Sequence, residues 1–333
     1  MSLTMTLGRH ILTAQRSVPD ATGTLTGLLY DLALAGKVVA REATRANILE
    51  SAQASQEPKA SRLYRFADAT FIHLNQRTNR VGVIASESHA EPISTNIEGK
   101  YVLLLDPLDG VSQTDYTVSL GTVFAVYRRL ADGPEGGLAD CLQSGRNLVA
   151  AGYLLYGSST VMVYSSGHGV NAFSLDPGLG EFLLSHEDVR IPSPPRYYSL
   201  NHAHDDFWTP GSRRFARYLQ GKDSTFPGGL SMRYTGSLVA DFHRSLLGGG
   251  IFCYPADTIY PQGKMRLVFE ANALAFLAEQ AGGAASDGVQ PTLDLQPTSL
   301  HQRTPFYIGN RELVQMAENF IRLHEPVRPG DNP

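Results

Sequence analysis

The chain has 333 residues, of which 42% are hydrophobic and 18% are charged, a composition typical of a folded globular protein. Its 28 Lys and Arg residues against 32 Asp and Glu residues give a net charge of −4, so no basic surface for nucleic acid is expected. The longest apolar run, residues 148–156, is too short to span a membrane. Arg9, His10 and Gln15 interrupt the N-terminal sequence, which argues against a signal peptide. Two isolated cysteines are too few for a disulfide framework or a cysteine-based zinc site, and we expect a cytoplasmic enzyme.

The first half of the chain reads as one long helix followed by a series of strands. Leu25, Leu28, Leu29 and Leu32 fall on one helical face and predict a helix over residues 22–50, with Thr22 or Thr24 as its cap. Residues 51–61 are polar and show no clear periodicity. Short apolar runs rich in β-forming residues predict strands at residues 81–85, 101–105, 122–127, 149–156, 160–164 and 170–175.

A proline-rich segment, residues 190–195, predicts a linker because its three prolines disfavour both helix and sheet. Helical patterns follow at residues 213–219, 237–247, 266–280 and 311–323, alternating with predicted strands at 249–254 and 305–308. We therefore expect two domains of mixed α/β structure, over residues 1–190 and 191–333.

The segment Asp106-Pro-Leu-Asp-Gly110 carries the clearest chemical signal. Its two carboxylates stand three residues apart at a predicted tight turn, and carboxylate and carbonyl oxygens are the ligands that Mg²⁺ prefers. Backbone N–H groups after such a turn can bind a phosphate, so the segment suits metal-assisted phosphoryl transfer to water. An Asx turn that caps a helix is an equally open interpretation of these residues alone.

Longer motifs extend this signal along the chain. They are residues 99–110 (GKYVLLLDPLDG), 145–157 (GRNLVAAGYLLYG), 175–182 (LDPGLGEF), 198–201 (YSLN), 234–244 (YTGSLVADFHR), 250–255 (GIFCYP), 263–266 (GKMR), Glu270 and 279–283 (EQAGG). With these motifs in this order, the chain resembles class 1 fructose-1,6-bisphosphatases, of the lithium-sensitive phosphatase superfamily, from about residue 8 to residue 322. The resemblance implies an α/β sugar phosphatase fold of layered α/β/α/β/α type, with an N-terminal regulatory-type domain and a C-terminal sugar-phosphate domain. It also implies metal-dependent hydrolysis of the 1-phosphate of fructose 1,6-bisphosphate or a related sugar bisphosphate.

The resemblance also implies a set of site residues. Those that would hold Mg²⁺ or Mn²⁺ and carry catalysis are Glu87, Asp106, the carbonyl of Leu108, Asp109 and Glu270. Those that would bind the sugar and its phosphates are Gly110, Val111, Ser112, Asn201, Arg233, Tyr234, Tyr254, Lys264 and Arg266. In the family the arginine that matches Arg233 usually crosses a subunit boundary, which implies a homotetramer.

A possible allosteric site for AMP is implied at the start of the first long helix, where backbone N–H groups suit a phosphate. Its matching residues are Thr22, Gly23, Leu25, Thr26, Lys100, Tyr101 and Arg128. Thr24 stands where the family often has Glu, and an ordinary capped helix is the alternative interpretation.

The chain departs from the family at several acidic positions. Pro58 and Tyr64 align with two acidic residues, and Ser88 replaces the second carboxylate of a Ser-Glu-Glu motif, with Glu57 one residue out of place. Val111 replaces a serine of the motif that follows the two aspartates.

Three histidines offer possible replacements for the lost groups. His89, His202 and His204 are candidates for metal ligands or a general base, and an extended segment would place the rings of His202 and His204 on one side. A solvated loop pair is the alternative for His202 and His204. Three functions therefore stay open: an active phosphatase, a non-catalytic relative that binds sugar phosphate or AMP, and an enzyme of different chemistry on the same scaffold.

Overall fold

A computed structural model describes residues 5–16, 22–49, 58–95, 98–111, 118–130, 137–223 and 228–324, with the side chains of 46–49 left out. Contacts divide the chain into two compact units. The first unit comprises Met1–Gln143, Asn147–Val189 and Ser237–Ala240, and the second comprises Ser144–Arg146, Arg190–Gly236 and Asp241–Pro333.

The first unit is built on an eight-stranded mixed sheet. Its strands are β1 Val81–Ser86, β2 Ile93–Ser94, β3 Tyr101–Asp109, β4 Leu120–Arg128, β5 Leu148–Tyr156, β6 Thr160–Ser165, β7 Asn171–Asp176 and β8 Glu181–His186. The order is β2-β1-β3-β4-β5-β6-β7-β8, in which β1 and β3 are parallel and the other neighbours are antiparallel. Strands β1, β3 and β4 are buried almost throughout, which explains their continuous apolar sequences.

Four helices accompany this sheet: α1 Leu7–Arg16, α2 Thr24–Leu49, α3 Lys59–Gln76 and the short α4 Leu138–Cys141. Leu63, Ala67 and Phe71 of α3 recur every fourth residue and are buried in the same core as α2. The predicted strands of the first unit and the helix within residues 22–49 are confirmed. The structure adds α1, α3 and β8, which the sequence analysis missed, and residues 51–57 lie outside the described part.

The second unit has a five-stranded mixed sheet in the order β10-β9-β11-β15-β13 and a two-stranded pair of β12 with β14. The strands are β9 Tyr197–Ser199, β10 Ser231–Met232, β11 Gly250–Tyr254, β12 Met265–Arg266, β13 Ala284–Ser286, β14 Arg303–Thr304 and β15 Phe306–Gly309. The helices are α5 Pro210–Leu219, α6 Leu238–Gly248, whose first three residues belong to the first unit, α7 Asn272–Gln280 and α8 Arg311–His324.

A hydrophobic core holds the second unit together around Tyr198, Phe215, Ile251, Tyr307 and Ala317. The helices and strands predicted for this half are present, except that the predicted helix over 266–280 begins as β12 and one π-helical turn, Leu267–Ala271. Each unit joins helices to a mixed sheet, which confirms the α/β class. Among the described residues, no helix is both long and apolar enough to cross a bilayer.

Candidate active site

The aspartate motif of the first unit does not form the tight turn that the sequence predicts. Strand β3 runs on through Asp106 to Asp109, and its pairing with β4 is interrupted between these two residues, so the turn begins only at Gly110. The prediction of a turn carrying both aspartates is therefore wrong. The interruption includes Pro107, which cannot donate a ladder hydrogen bond, and the pairing with β4 resumes at Asp109.

Buried hydroxyl groups hold this irregular strand in place. The Thr122 hydroxyl donates to the Pro107 carbonyl at 2.8 Å and also lies 2.8 Å from the Tyr156 hydroxyl. Asp106 Oδ1 accepts the Leu108 N–H at 3.2 Å, the local bond that an Asx turn would make. The motif has this local bond but lies in a strand, so the interpretation as an Asx turn that caps a helix is wrong, whereas the metal-binding interpretation stays a prediction.

That second carboxylate is Glu87, which follows β1 directly. The Glu87 N–H donates to the Leu105 carbonyl at 2.9 Å and so continues the parallel pairing in which Ser86 faces Leu105. Residues at matching positions of parallel strands project to the same face, which brings Glu87 and Asp106 together. Each offers a carboxylate oxygen within 4.8 Å of one on the other.

Asp109 is fixed by two donors of the segment Ser237–Ala240. Its Oδ2 accepts the Ser237 hydroxyl at 2.9 Å and the Val239 N–H at 3.1 Å. Gly110 then adopts a φ of +78°, a conformation that favours glycine. Val111 is half buried against the core, and Ser112 lies outside the described residues.

The positions of the missing acids differ in how they are occupied. Pro58 precedes α3 and is exposed, Tyr64 packs against the hydrophobic core, and Ser88 is exposed after β1. Asp68, one helical turn after Tyr64 on α3, is buried and was missed in the sequence analysis. It accepts a 2.6 Å hydrogen bond from the Ser86 hydroxyl and lies 2.9 Å from His89 Nε2.

The predicted pair of histidines in the second unit is not extended. Residues His202–Phe207 form a 3₁₀ helix, with the Asn201 side chain accepting the Ala203 N–H at its start. The expectation that both rings share one side of an extended segment is therefore wrong. His202 packs edge-on against Trp208, whereas His204 Nδ1 lies 3.6 Å from a carboxylate oxygen of Asp257.

A basic and aromatic group forms where the resemblance implies sugar-phosphate binding. The ammonium of Lys264 lies 4.3 Å from the ring centre of Tyr260 and 5.3 Å from that of Tyr254. Burial raises the pKa of Tyr254, and the hydrogen bond with Tyr234 partly offsets this by lowering it. Tyr234, Tyr254 and Lys264 are thus brought together by the fold of the second unit.

Arg233 is exposed, and its guanidinium lies 5.8 Å from the ring centre of Tyr197. The loop after it is held by Asp241, which accepts the Thr235 and Gly236 N–H groups and pairs with Arg244 at 2.7 Å. Asp241 is fully buried, and the sequence analysis did not single it out. The sequence signal that could have identified it is an acidic residue inside the motif at 234–244.

Arg266 and Glu270 lie together at the start of the π-helical turn. The Arg266 N–H donates to Glu270 Oε2 at 2.6 Å, and the guanidinium of Arg266 donates to the His301 carbonyl at 3.3 Å. The carboxylate of Glu270 is thereby oriented by the backbone of its own chain segment.

Two of the residues implied for AMP, Thr22 and Gly23, line a cavity in the structure. Thr22, Gly23 and Thr24 line a cavity of about 600 Å³ at the start of α2, together with residues 77–80. Gly23 has a φ of +78°, and the Thr26 hydroxyl donates to the Gln15 side chain at 2.6 Å.

The other residues implied for AMP lie on the sheet or in the core. Tyr101 faces Arg128 across β3 and β4, and burial raises the pKa of Tyr101. Lys100 is exposed, and Leu25 packs against the core.

The donor chemistry of the first unit fits a divalent cation. Glu87, Asp106 and Asp109 are oxygen donors, and the Leu108 carbonyl lies between the two aspartates in sequence. Hard cations such as Mg²⁺ and Mn²⁺ bind such oxygen sets, whereas softer metals prefer nitrogen and sulfur. Cys141 and Cys253 are both buried, and burial raises the pKa of the Cys141 thiol to about 12. The carboxylates and the carbonyl proposed as ligands are therefore all hard oxygen donors.

Comparison with known proteins agrees with this arrangement. Two family models match, "Fructose-1-6-bisphosphatase, N-terminal domain" over residues 5–187 and "Fructose-1-6-bisphosphatase, C-terminal domain" over residues 191–322. The class 1 fructose-1,6-bisphosphatase of Chloroherpeton thalassium is 47% identical over 324 residues, which covers 95% of this chain and 93% of that protein. That of Chlorobium luteolum is 46% identical over 328 residues, covering 96% and 98%. The crystal structure of Leishmania major fructose-1,6-bisphosphatase in holo form matches with a TM-score of 0.88 at 35% identity, covering 96% of this chain and 99% of that one. The chain belongs to the class 1 fructose-1,6-bisphosphatase family.

Proposed function

We propose that this protein is a metal-dependent phosphatase that hydrolyses the 1-phosphate of fructose 1,6-bisphosphate. The observation that carries the proposal is similarity over almost the whole chain to proteins of that name, at 46–47% identity. Two carboxylates within 4.8 Å of each other, Glu87 and Asp106, supply the chemistry that such a reaction needs.

In this proposal the first unit holds the reacting phosphate. Glu87, Asp106, Asp109 and the Leu108 carbonyl hold Mg²⁺ or Mn²⁺, and Glu270 is a further ligand on the resemblance alone. A cation there neutralises the charge of the phosphate and lowers the pKa of the attacking water. The Val111 N–H after Gly110 donates to the phosphate, a task that does not need the serine hydroxyl lost at this position.

The second unit binds the sugar and the phosphate that is not cleaved. Lys264, placed over two tyrosine rings, supplies a point charge to that phosphate, while Tyr234 and Tyr254 supply hydroxyl groups. Asn201, Arg233 and Arg266 complete this set on the resemblance. The loop that carries Arg233 is held by the buried Asp241.

The test is phosphate release from fructose 1,6-bisphosphate by the purified protein with Mg²⁺ or Mn²⁺, beside a Glu87→Gln variant. We expect release that depends on the metal and falls at least about 100-fold in the variant, because removal of a catalytic group typically costs that much. Release that is equal in both proteins, or absent from the unaltered one, would refute the proposal.

A second candidate function is binding of the sugar phosphate without turnover. It is favoured by Tyr64, whose ring packs into the core where the family has an acid, so that no carboxylate reaches the site from this position. Calorimetry that shows binding of the bisphosphate, together with no phosphate release, would support this function over the first.

Regulation by AMP and assembly into a homotetramer are part of the proposal. The cavity at the start of α2 supports a phosphate-binding role there, and AMP is expected to inhibit phosphate release. Tyr30, Leu34 and Val38 form an exposed apolar stripe on α2, which suits a subunit contact. Light scattering coupled to gel filtration that gives the mass of one chain would contradict the tetramer. A cytoplasmic location stays a prediction of the sequence.

A further inference from the structure

The buried carboxylate of Asp68 binds both ends of the turn that carries Glu87. Ser86 to His89 form this turn, closed by the His89 N–H donating to the Ser86 carbonyl at 3.0 Å. Asp68, on α3, accepts the Ser86 hydroxyl on Oδ1 at 2.6 Å and contacts His89 Nε2 through Oδ2 at 2.9 Å. The Ser88 hydroxyl lies 3.0 Å from that of Ser86 and extends the same network. Glu87 is therefore the second residue of a turn whose first and last side chains are bound to one partner.

We propose that Asp68 and His89 are positioning residues that hold Glu87 in the orientation needed to bind the divalent cation, an inference that rests on the proposed function. Neither residue acts on the substrate in this proposal. They fix the backbone of the turn, and the fixed backbone holds the Glu87 carboxylate in the orientation that binds the metal. Groups that orient metal ligands in this way typically change metal affinity about 10- to 100-fold when they are removed.

Stability alone does not account for a carboxylate at this place. Asp68 is only 9% exposed, and burying a charge between a helix and a strand costs desolvation that an apolar side chain avoids. This desolvation cost is offset because each carboxylate oxygen of Asp68 has a polar partner, Ser86 for Oδ1 and His89 for Oδ2. An apolar residue at this position would avoid that cost and would leave the turn at Glu87 unbound.

The place of the pair on the chain also fits this role. Asp68 lies one helical turn after Tyr64, where the family has an acid, and His89 follows Ser88, where it has a second one. These two substituted positions therefore each have a neighbour along the chain that belongs to the same network. The network connects α3 to the end of β1, which are separate elements of the first unit.

The experiment measures Mn²⁺ affinity by calorimetry and by the electron paramagnetic resonance of free Mn²⁺, with thermal unfolding and phosphate release in parallel. The variants are Asp68→Leu, His89→Ala and His89→Gln. We expect Asp68→Leu and His89→Ala each to weaken Mn²⁺ binding about 10- to 100-fold. A variant that combines Asp68→Leu with His89→Ala should bind Mn²⁺ no more than about threefold more weakly than either single variant, because the two residues act as one unit. His89→Gln keeps an N–H donor and should restore most of the affinity.

A matched control comes from the other end of the same strand. Asp31 pairs with Arg80 at 2.5 Å next to the start of β1, so Asp31→Leu also removes a carboxylate from an ion pair of the first unit. We expect it to leave Mn²⁺ affinity within about twofold, since no proposed ligand contacts it.

Three results would overturn the positioning role. The first is an Mn²⁺ affinity that is unchanged in all the variants. The second is a loss of Mn²⁺ affinity that only follows the loss of thermal stability across the variants and the control, and the third is failure of His89→Gln to restore the affinity that His89→Ala removes. An unaltered protein that neither binds Mn²⁺ nor releases phosphate would overturn the proposed function as well. His89→Ala is the safer variant for folding, because the side chain of His89 is 42% exposed.

Discussion

Asp109→Asn separates the metal-binding task of this carboxylate from its structural one. Asp109 Oδ2 accepts the Ser237 hydroxyl at 2.9 Å and the Val239 N–H at 3.1 Å. Asparagine has nearly the same shape, and its carbonyl oxygen can still accept from these donors. The substitution therefore removes the negative charge while it keeps the packing.

The expected cost in stability is small. A hydrogen bond to a charged acceptor contributes about 1.5–3 kcal/mol and one to a neutral acceptor about 0.5–1.5 kcal/mol. For two donors the free energy of unfolding falls by about 2–3 kcal/mol at most, and by less because Asp109 is only partly buried. The expected cost in activity is larger, since loss of one group that stabilises developing charge typically lowers kcat about 10²- to 10³-fold.

A matched control makes the comparison decisive. Asp176 Oδ1 also accepts two backbone N–H groups, from Gly178 at 2.8 Å and Leu179 at 3.0 Å, and it lies outside the proposed site. Asp176→Asn should lower the Tm about as much as Asp109→Asn and leave phosphate release unchanged. The assay is phosphate release at saturating Mn²⁺ with a Tm for each protein. If Asp109→Asn retained activity within about threefold of the unaltered protein, the ligand role of this carboxylate would be refuted.

Three further results follow from the structure. Lys264→Gln should raise the KM for the bisphosphate about 10- to 100-fold and leave kcat within about threefold. The reason is that the ammonium of Lys264, held over Tyr254 and Tyr260, is proposed to bind the phosphate that does not react. A fall in kcat at constant KM would contradict this. Burial lowers the pKa of His202, so the unfolded chain binds more protons below about pH 6.5, and stability is lost as the pH falls through that value. The Tm of His202→Gln should therefore decrease less than that of the unaltered protein between about pH 7.5 and about pH 5.5, and equal decreases would contradict the reasoning. Ser88→Glu restores a carboxylate at an exposed position and should raise kcat at saturating Mn²⁺ at least about 10-fold, whereas an unchanged kcat would show that this acid is not missed.

The elements of this fold that could be predicted are those with a strong local pattern. The central strands β1, β3 and β4 are buried on both faces, so their sequences are continuous apolar runs that end near the observed bounds. Helix α3 was missed because its polar first turn continues a stretch without periodicity, and its apolar positions Leu63, Ala67 and Phe71 are separated by charged and polar residues. Its packing against the core, and not its propensity, determines that it is helical.

The sequence predicts the residues of the proposed site but not the groups that hold them in place. Asp106, Asp109 and Glu87 stand in recognisable motifs, whereas the partners of Asp109 follow it by about 130 residues in the chain. The extension of β3 through Pro107 depends on a buried hydroxyl from β4, which no local rule reports. Asp68 is a buried acid whose partners Ser86 and His89 belong to another part of the chain, so its role appears only when these elements are assembled. The partners of Asp241, in contrast, lie within six residues of it.

Three positions at which the chain lacks an acid of the family belong to the first unit, and this bears on function. Pro58, Tyr64 and Ser88 all belong to the first unit, which also carries the carboxylates Glu87, Asp106 and Asp109 proposed to hold the metal. The groups proposed to bind the sugar and the distal phosphate, among them Lys264 and Tyr254, are kept together in the second unit. Binding groups that do not touch the reacting phosphate act mainly on KM, and groups around the metal act on kcat. A chain altered in this way is expected to recognise its substrate as its relatives do and to differ from them in the rate of the chemical step.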